Sequence, residues 1–454
     1  MFRVEKSFHC TGLRILLKHL SVSAVLVSAS HIAFAAGLLE IYQLAQDQDP
    51  AFEAARYTLE SAQERLPQAR AGFLPTLAAT GGRNRSHGQY IFARDPATDR
   101  SVNAWNWTVQ LSQPLVRMQN WENYNQAEAI VEQARAQYVL AEQDLIVRVA
   151  QAYFDFDIAR EGIRVADAQL VAVEQQLNLA KRGFKAGTNA ITDVHEAQAR
   201  FDLARSQRVA AQNELESKRA EFEKIIGPLP ANINALQQTV SPSVPEPNNP
   251  EAWGEMAQNY SPTVVAQRAA IVTAEREIAK DRAGHLPTVD LTASYGRSFS
   301  SGSNSTPSDY ESRIRSNQIG LQVNIPIYSG GETSSRVRQA IADLYKARAE
   351  LRGAQRLANA TARQAFAGMV NGISQIEALN SAVESSRSSV KANQIGYKLG
   401  TRINIDVLNA EQQLFTAQRD LIKARYETLL QGLKLKAAAG NLKLEDIAAL
   451  NGWF

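Results

Sequence analysis

The residues of this sequence that could perform chemistry are few and widely separated. Beyond residue 35 the chain has three histidines, His87, His195 and His285, and none lies in the H-E-x-x-H or cysteine-rich spacing of a metal site. No Walker loop, G-x-S-x-G or G-x-G-x-x-G segment occurs in the sequence. The single cysteine, Cys10, excludes an internal disulfide, a four-thiolate zinc site and an iron–sulfur cluster. We therefore predict that the protein is not an enzyme and carries no metal or cofactor.

Polar residues with a recurring spacing lie instead in two related segments, GFKAGTNAITDV (183–194) and GYKLGTRINIDV (396–407). In each segment a Gly-Thr pair is expected to reverse the chain between two helices, because glycine adopts the left-handed conformation that ends many helices. The tip residues so predicted are Gly183, Gly187, Thr188, Gly396, Gly400 and Thr401. His195 follows the first segment, where it could be a metal ligand or a solvated residue at a helix start.

The charge balance excludes a nucleic-acid partner. The chain has 49 Lys plus Arg and 46 Asp plus Glu among 454 residues, so its net charge of +3 is too dilute for such a surface. Residues 1–35 resemble an export signal, with basic residues near the start, an apolar stretch and Ala33-Phe34-Ala35 as the cleavage site. An N-terminal membrane anchor is the alternative, although the apolar stretch is shorter than the roughly 20 residues of a spanning helix.

The elements that position the two tips belong to an internal duplication. At an offset of 212 residues RAGFLPT (70–76) matches RAGHLPT (282–288), and VQLSQPL (109–115) matches LQVNIPI (321–327). The two tip segments match at an offset of 213. We predict a first repeat over 36–226, a Pro-rich linker over 227–253, a second repeat over 254–440 and a tail over 441–454.

Each repeat is predicted to contain two strands followed by a helical hairpin. Trp105, Trp107, Val109 and Leu111 alternate with polar residues, which is the period of a strand with one apolar face. We place the strands at about 74–117 and 286–328, with polar loops over 85–101 and 298–313. Apolar residues at helical spacing then predict long helices over 120–182 and 332–395, with tips over 183–193 and 396–406.

The predicted strands point to an outer-membrane barrel made by several chains. Four strands cannot close a barrel, and an open edge in lipid would leave backbone groups unsatisfied. Two chains would supply eight strands and a filled interior, whereas three would supply twelve and leave a passage. The alternation also fits one face of a soluble sandwich in the periplasm, which the long helices do not suit.

In this order of elements the sequence resembles the TolC family of outer-membrane efflux and secretion channels. The resemblance covers nearly the whole chain beyond residue 35, including the ending ARYETLLQGLKLKAAAGNLKLEDIAALN (424–451). It implies a mainly α membrane protein: a homotrimer with a twelve-stranded barrel in the outer membrane and a twelve-helix barrel crossing the periplasm. The linker and the tail would form a belt around the middle of the helices.

The resemblance also implies roles for residues at the tips. Bonds from Thr192 and Asp193 to Tyr397 and Arg402 would hold the tunnel closed. An acidic ring of the family matches Asp406, but its second position here is Asn409, so blockage by divalent cations is put in doubt. Glu196 could replace the missing carboxylate. Helix capping is the alternative role for Thr192, Asp193 and Asp406.

The implied function is that of an exit duct. A periplasmic adaptor and an inner-membrane transporter, either an ABC or a proton-driven one, would recruit the tunnel and open it. Two other classes of protein fit parts of the sequence, namely a periplasmic helical-hairpin adaptor and a soluble coiled-coil scaffold.

Overall fold

The computed structural model describes residues 37–91, 96–188, 190–230, 232–235, 242–303 and 310–452. The predicted export signal therefore lies outside the described residues. The elements of the first repeat are α1 (Leu38–Gln48), α2 (Pro50–Gln63), α3 (Arg65–Ala71), β1 (Thr76–Tyr90), β2 (Thr98–Val116), α4 (Met118–Lys185) and α5 (Ile191–Ile226). Those that follow are α6 (Pro250–Tyr260), α7 (Pro262–Ala283), β3 (Thr288–Ser300), β4 (Ser312–Asn324), α8 (Glu332–Lys398), α9 (Asn404–Ala438) and α10 (Leu444–Asn451).

The duplicated, mainly helical architecture predicted from the sequence is confirmed. In both halves short helices lead into a strand pair, a very long helix, a turn and a helix of about half that length. Helix α4 has 68 residues and α8 has 67, so each is about 100 Å long. The linker predicted over 227–253 ends earlier, at the start of α6, and most of the tail predicted over 441–454 is helix α10.

The four strands form one antiparallel sheet in the order β1-β2-β3-β4. Leu77, Leu111, Ala293 and Ile319 are register partners, so they lie in one row across one face of the sheet. The next residues along each strand are small or polar and lie on the opposite face. Within the described residues β1 and β4 each pair on one side only, which leaves two open edges.

The polar loops predicted over 85–101 and 298–313 are wrong in extent. Strand β1 continues to Tyr90 and β2 begins at Thr98, while β3 ends at Ser300 and β4 begins at Ser312. Polar residues usually indicate loops because they do not enter a hydrophobic core. These strands have no such core to enter, since the ladder is satisfied by backbone pairing and the polar side chains remain accessible.

Large aromatic residues form a core at the middle of the long helices. Tyr153 and Phe154 of α4 are almost fully buried against Phe222 of α5 and Tyr426 of α9. The rings of Phe154 and Tyr426 are 5.5 Å apart, and those of Tyr153 and Phe222 are 6.1 Å apart. Helices α1 and α10 also contribute to this cluster. Many of the other buried residues of α4 and α8 are alanines, which let helix axes approach closely.

A buried polar network joins this core to the segment that follows α5. Asp157 has no exposed surface and binds both Arg160 and the hydroxyl of Tyr426. Arg160 also donates to the backbone carbonyls of Ile233, at 2.7 Å, and Asn234, at 3.2 Å. The hydroxyl of Tyr153 donates to the same Asn234 carbonyl at 2.8 Å. Burial of Tyr153 raises the pKa of its phenol above the usual value. The network therefore fixes part of the predicted linker to α4.

In the ranges that the structure describes, every helix is too short or too polar for a candidate membrane span.

Candidate functional site

The two hairpin tips have the same backbone geometry. After α4, Gly187 adopts a left-handed φ of +76°, and the backbone amide of Thr188 donates to the carbonyl of Gly183 at 2.9 Å. The hydroxyl of Thr188 donates to the same carbonyl at 3.1 Å. This is a helix-ending turn that requires glycine at the left-handed position, because a Cβ there costs free energy.

The second tip repeats the arrangement residue for residue. Gly400 has φ +73°, and the amide and hydroxyl of Thr401 donate to the carbonyl of Gly396 at 2.9 and 3.1 Å. Arg402 lies across this turn, since a Cβ added at Gly396 would come within 2.7 Å of the Arg402 Cγ. The backbone amide of Arg402 donates to the Gly396 carbonyl at 3.2 Å, and its side chain is mostly exposed.

The predicted gate residues lie on the surfaces of these tips. Thr192 and Asp193 are in the first turn of α5, and Tyr397 is in the last turn of α8. Arg402 approaches Asp406 of its own tip at 3.8 Å, and among the described contacts it forms no bond to Thr192 or Asp193. Asp406 also accepts from the backbone amide of Ile403 at 3.4 Å, so it has the capping role.

The other two predicted constriction residues, Asn409 and Glu196, lie on different helices and have different contacts. Asn409 is exposed, and its side-chain oxygen accepts from Arg200 of α5 at 3.1 Å. The other arm of Arg200 donates to Gln412 at 2.7 Å. Glu196 lies exposed on α5. Arg200 therefore links the two helical hairpins of one chain, a role that the sequence analysis did not assign to it.

Apolar residues complete this link between the hairpins. Leu408 of α9 is 3% exposed and packs against Val173, Leu177 and Ala180 of α4 and Ala197 of α5. The tip of the second hairpin thus rests on the first through a small hydrophobic cluster as well as through Arg200. Any rearrangement that separates the hairpins must expose this cluster to water.

A buried carboxyl group, Glu411, was also missed by the sequence analysis. It lies on α9 and is 3% exposed, and its Oε1 accepts from Gln176 of α4 at 3.3 Å and from Gln394 of α8 at 3.2 Å. Its Oε2 has no hydrogen-bond partner among the described residues, and neither has the Oε1 of Gln176. The signal was available, because Glu411 lies three residues after Leu408, where the apolar seam of α9 requires a buried residue.

Desolvation raises the pKa of Glu411 above its ordinary value of 4.5, while the two glutamine hydrogen bonds oppose that shift. A carboxyl with a raised pKa in the folded protein favours the protonated form. In the unfolded chain the carboxyl keeps its ordinary pKa of 4.5. The free energy of unfolding therefore falls as the pH rises from 4.5 through the raised pKa of the folded state. A protonated Glu411 can also donate a hydrogen bond, which an ionised one cannot.

We predict that Glu411→Gln raises the thermal unfolding midpoint near pH 7 and weakens the decrease of that midpoint as the pH rises above 4.5. The amide keeps the shape and the hydrogen-bonding capacity of the group without its charge. The measurement is unfolding at several pH values, followed by circular dichroism. Glu427→Gln is the control, because Glu427 lies on the same helix in an exposed pair with Lys423. A wild-type pH dependence that survives in Glu411→Gln would contradict the prediction.

The described residues contain no group of three or more His, Cys, Asp and Glu side chains that could hold a metal ion. His195 is exposed near the start of α5.

Comparison with known proteins agrees with this geometry. The sequence profile of the family described as "Outer membrane efflux protein" matches residues 41–228 and 253–441, which are the two repeats. The chain is 32% identical to "Proteases secretion protein PrtF" of Dickeya chrysanthemi, over 96% of this chain and 95% of that protein. It is 32% identical to "Outer membrane protein TolC" of Escherichia coli, over 93% of this chain and 86% of that protein.

Solved structures show the same fold at lower identity. The Campylobacter jejuni CmeC outer membrane channel superimposes with a TM-score of 0.77 at 16% identity, over 91% of this chain and 89% of that one. The Vibrio cholerae outer membrane protein VceC superimposes with a TM-score of 0.73 at 18% identity, over 89% of this chain and 96% of that one.

A duplicated chain with one four-stranded sheet and four long helices has the fold of the outer-membrane proteins CmeC and VceC. This chain belongs to the outer membrane efflux protein family. Its function is that of an outer-membrane channel for efflux or type I secretion, as the sequence analysis predicted.

Proposed function

We propose that three copies of the chain close into one continuous channel, with twelve strands in the outer membrane and twelve helices across the periplasm. The observation that carries the proposal is the sheet with its two open edges, β1 and β4, and with one apolar and one polar face. Pairing β1 of one copy with β4 of the next satisfies both edges and turns the apolar face toward lipid.

Three copies fit the composition of the polar face better than two. With eight strands the interior of a barrel is filled by side chains, whereas twelve strands leave a passage. The inward face would carry small and polar residues such as Thr80, Thr108, Ser294 and Gln318, which are compatible with water. Exported substrates could then move through a hydrated interior.

The tips are the part of this channel that opens. Among the described residues the guanidinium of Arg402 forms one long ion pair, to Asp406 at 3.8 Å, and its side chain is 60% exposed. Its guanidinium is therefore free to bind Thr192 or Asp193 of a neighbouring copy, and Tyr397 would add a second link. Asp406 and Asn409 would lie near the narrowest point, with Glu196 close by on α5. Such links among three copies would keep the resting tunnel closed.

Opening requires partners. The sequence has no nucleotide-binding loop, so we assign the energy source to an inner-membrane transporter of the ABC or proton-driven kind. A periplasmic adaptor would contact the hairpins and shift the closed tips toward the open state. The proteins named PrtF and TolC, which cover nearly the same length, support this arrangement of an exit duct that serves a separate transporter.

The test is the state of the full-length protein in a Gram-negative host. We expect a trimer in the outer-membrane fraction that dissociates only on heating, and discrete conductance steps when the purified protein is added to a planar lipid bilayer. A protein that is released without detergent would instead be an adaptor or a scaffold. Cross-linking that yields dimers but no trimers would contradict the twelve-strand arrangement.

A further inference from the structure

Five arginines lie together on the apolar face of the sheet. They are Arg83 and Arg85 of β1, Arg297 of β3, and Arg313 and Arg315 of β4, and we call them the arginine belt. The register partners Trp107, Arg297 and Arg315 form one row, and Arg83, Trp105, Phe299 and Arg313 form the next. Register partners share a face, so the belt lies on the same face as Leu111 and Ile319.

The belt occupies one end of this face. On β4 the residues on that face are apolar at Ile319, Leu321 and Val323, and after Asn317 they become basic at Arg315 and Arg313. The other end of the sheet is joined to α3, α4, α7 and α8, so the belt lies at the end away from the helices. In the channel proposed above, on which this inference rests, that end faces the outside of the cell.

The distances match the dimensions of a membrane. From Arg315 to Ile325, the first residue after β4 and 61% exposed, the chain advances by ten residues, or about 33 Å if it stays extended. A strand tilt of about 40° reduces this to about 25 Å, the usual height of the apolar band of an outer-membrane barrel. The belt therefore begins where the hydrocarbon layer ends.

Aromatic rings lie at the same boundary. Trp105 stacks on Phe299 with 5.9 Å between ring centroids, and Trp107 contacts Tyr295 edge-on at 5.6 Å. The guanidinium of Arg313 lies 5.7 Å from the Phe299 ring centroid. Aromatic girdles occupy the interface of membrane barrels, so these rings mark the level of the lipid headgroups. Trp121, in contrast, lies in α4 at the helical end of the sheet and touches Phe73.

Within the described part of the chain, most of the belt's arginines lack an ion-pair partner. Among the described residues the only ion pair of the five arginines joins Arg313 to Glu311, at 2.6 Å. Arg297 and Arg315 are direct register partners, and like charges placed opposite each other destabilise a sheet. The Nε of Arg297 is buried and has no hydrogen-bond partner in the described part of the chain. The described part of this face thus carries more guanidinium groups than carboxylates to pair them.

We propose that the arginine belt binds the phosphate groups of the outer-leaflet glycolipid, lipopolysaccharide. Guanidinium groups bind phosphate with paired hydrogen bonds, and the low dielectric of the headgroup boundary strengthens such contacts. A soluble acidic protein does not fit as well, because the apolar band and the aromatic girdle continue directly into the belt and are covered by lipid. A trimer would present the belt three times.

The test uses the purified full-length trimer in detergent and bisphosphorylated lipid A as the probe, with complexes counted by native mass spectrometry. We expect Arg297→Gln with Arg315→Gln to weaken lipid A binding by at least about tenfold. The wild-type protein should bind dephosphorylated lipid A correspondingly less, and its affinity should fall with added salt. Replacing the same two arginines with lysine should cost less, since the charge is kept.

The matched control is Arg100→Gln. Arg100 lies near the same end of β2 but on the opposite, polar face, where it donates to the carbonyl of Ser303 at 3.0 Å. Its substitution should leave lipid A binding unchanged. Heat-modifiable trimers and conductance confirm that each variant has assembled. If the Gln pair does not assemble, Arg313→Gln alone is compared with wild type, and a smaller loss of affinity is expected.

Three results would overturn the proposal. They are equal binding of phosphorylated and dephosphorylated lipid A, wild-type affinity in the Gln pair, and full displacement of lipid A by millimolar inorganic phosphate, which would indicate a site for free anions. If the wild-type protein forms conducting trimers but does not prefer phosphorylated lipid A, the lipid-binding role of the arginine belt is refuted and the channel arrangement is not. A wild-type protein that forms no trimer would refute the channel arrangement and the belt together.

Discussion

Asp157→Ala is expected to lower the free energy of unfolding by about 3–5 kcal/mol. Asp157 has no exposed surface, and it is the shared partner of Arg160 and Tyr426. Removal of the carboxylate leaves a partly buried guanidinium without its counter-charge and a buried phenol without its acceptor. Arg160 is also the donor to the Ile233 and Asn234 carbonyls, so the linker segment should loosen as well.

The measurement is urea unfolding of the purified protein followed by its helical circular dichroism, with limited proteolysis to detect release of the linker. Asp167→Ala is the control. Asp167 also lies on α4 and also pairs with an arginine, Arg208, but both side chains are substantially exposed, at 49% and 40%. Exposed pairs contribute about 1 kcal/mol or less. A similar loss in both variants would contradict the special role of the buried pair.

The second expected result is a more open channel in the double variant Asp193→Ala, Arg402→Ser. Charged hydrogen bonds contribute about 1.5–3 kcal/mol each, so removal of one link per interface should shift the closed-to-open equilibrium by about tenfold or more. Single-channel conductance in a planar bilayer measures this directly. An unchanged conductance would refute the assignment of these two residues to the gate.

The matched control for the gate is Glu332→Ala with Arg336→Ser. This exposed pair lies at the opposite end of α8, far from the tips, and its members are four residues apart, like Arg402 and Asp406. The control removes the same kinds of charge, so its conductance should equal that of the wild type. An increase in both double variants would indicate a general effect of charge removal and not the opening of a gate.

Several elements could be predicted from the sequence because their causes are local. The alternation of Trp105, Trp107, Val109 and Leu111 places a strand, and strand β2 covers it. The Gly-Thr pairs at 187–188 and 400–401 mark turns, since glycine is needed at the left-handed position wherever those turns lie in the fold. The alternating face of each strand was equally visible, because side chains alternate with a period of two.

The ends of the strands were predicted less well, because polarity is a poor guide to where these strands stop. Residues 85–90 and 98–101 are mostly polar, and a rule that strands enter a hydrophobic core excludes them from a strand. In a sheet whose polar side chains stay accessible, polarity carries no such penalty. Backbone pairing alone then decides where β1 and β2 end.

By itself the sequence determined the duplicated fold, its long helices, its strand pairs and its family, because these depend on periodicity and on residues close together in the chain. Only the tertiary structure decided that Glu411 meets Gln176, that Asp157 meets Tyr426 and that Arg200 meets Asn409. These partners are 235, 269 and 209 residues apart. Their meeting depends on how helices rotate and slide against one another, and a regular apolar seam permits several such arrangements. The register of β3 and β4, which places Arg297 opposite Arg315, was also open from the sequence, because a connection this long does not fix the pairing of the two strands.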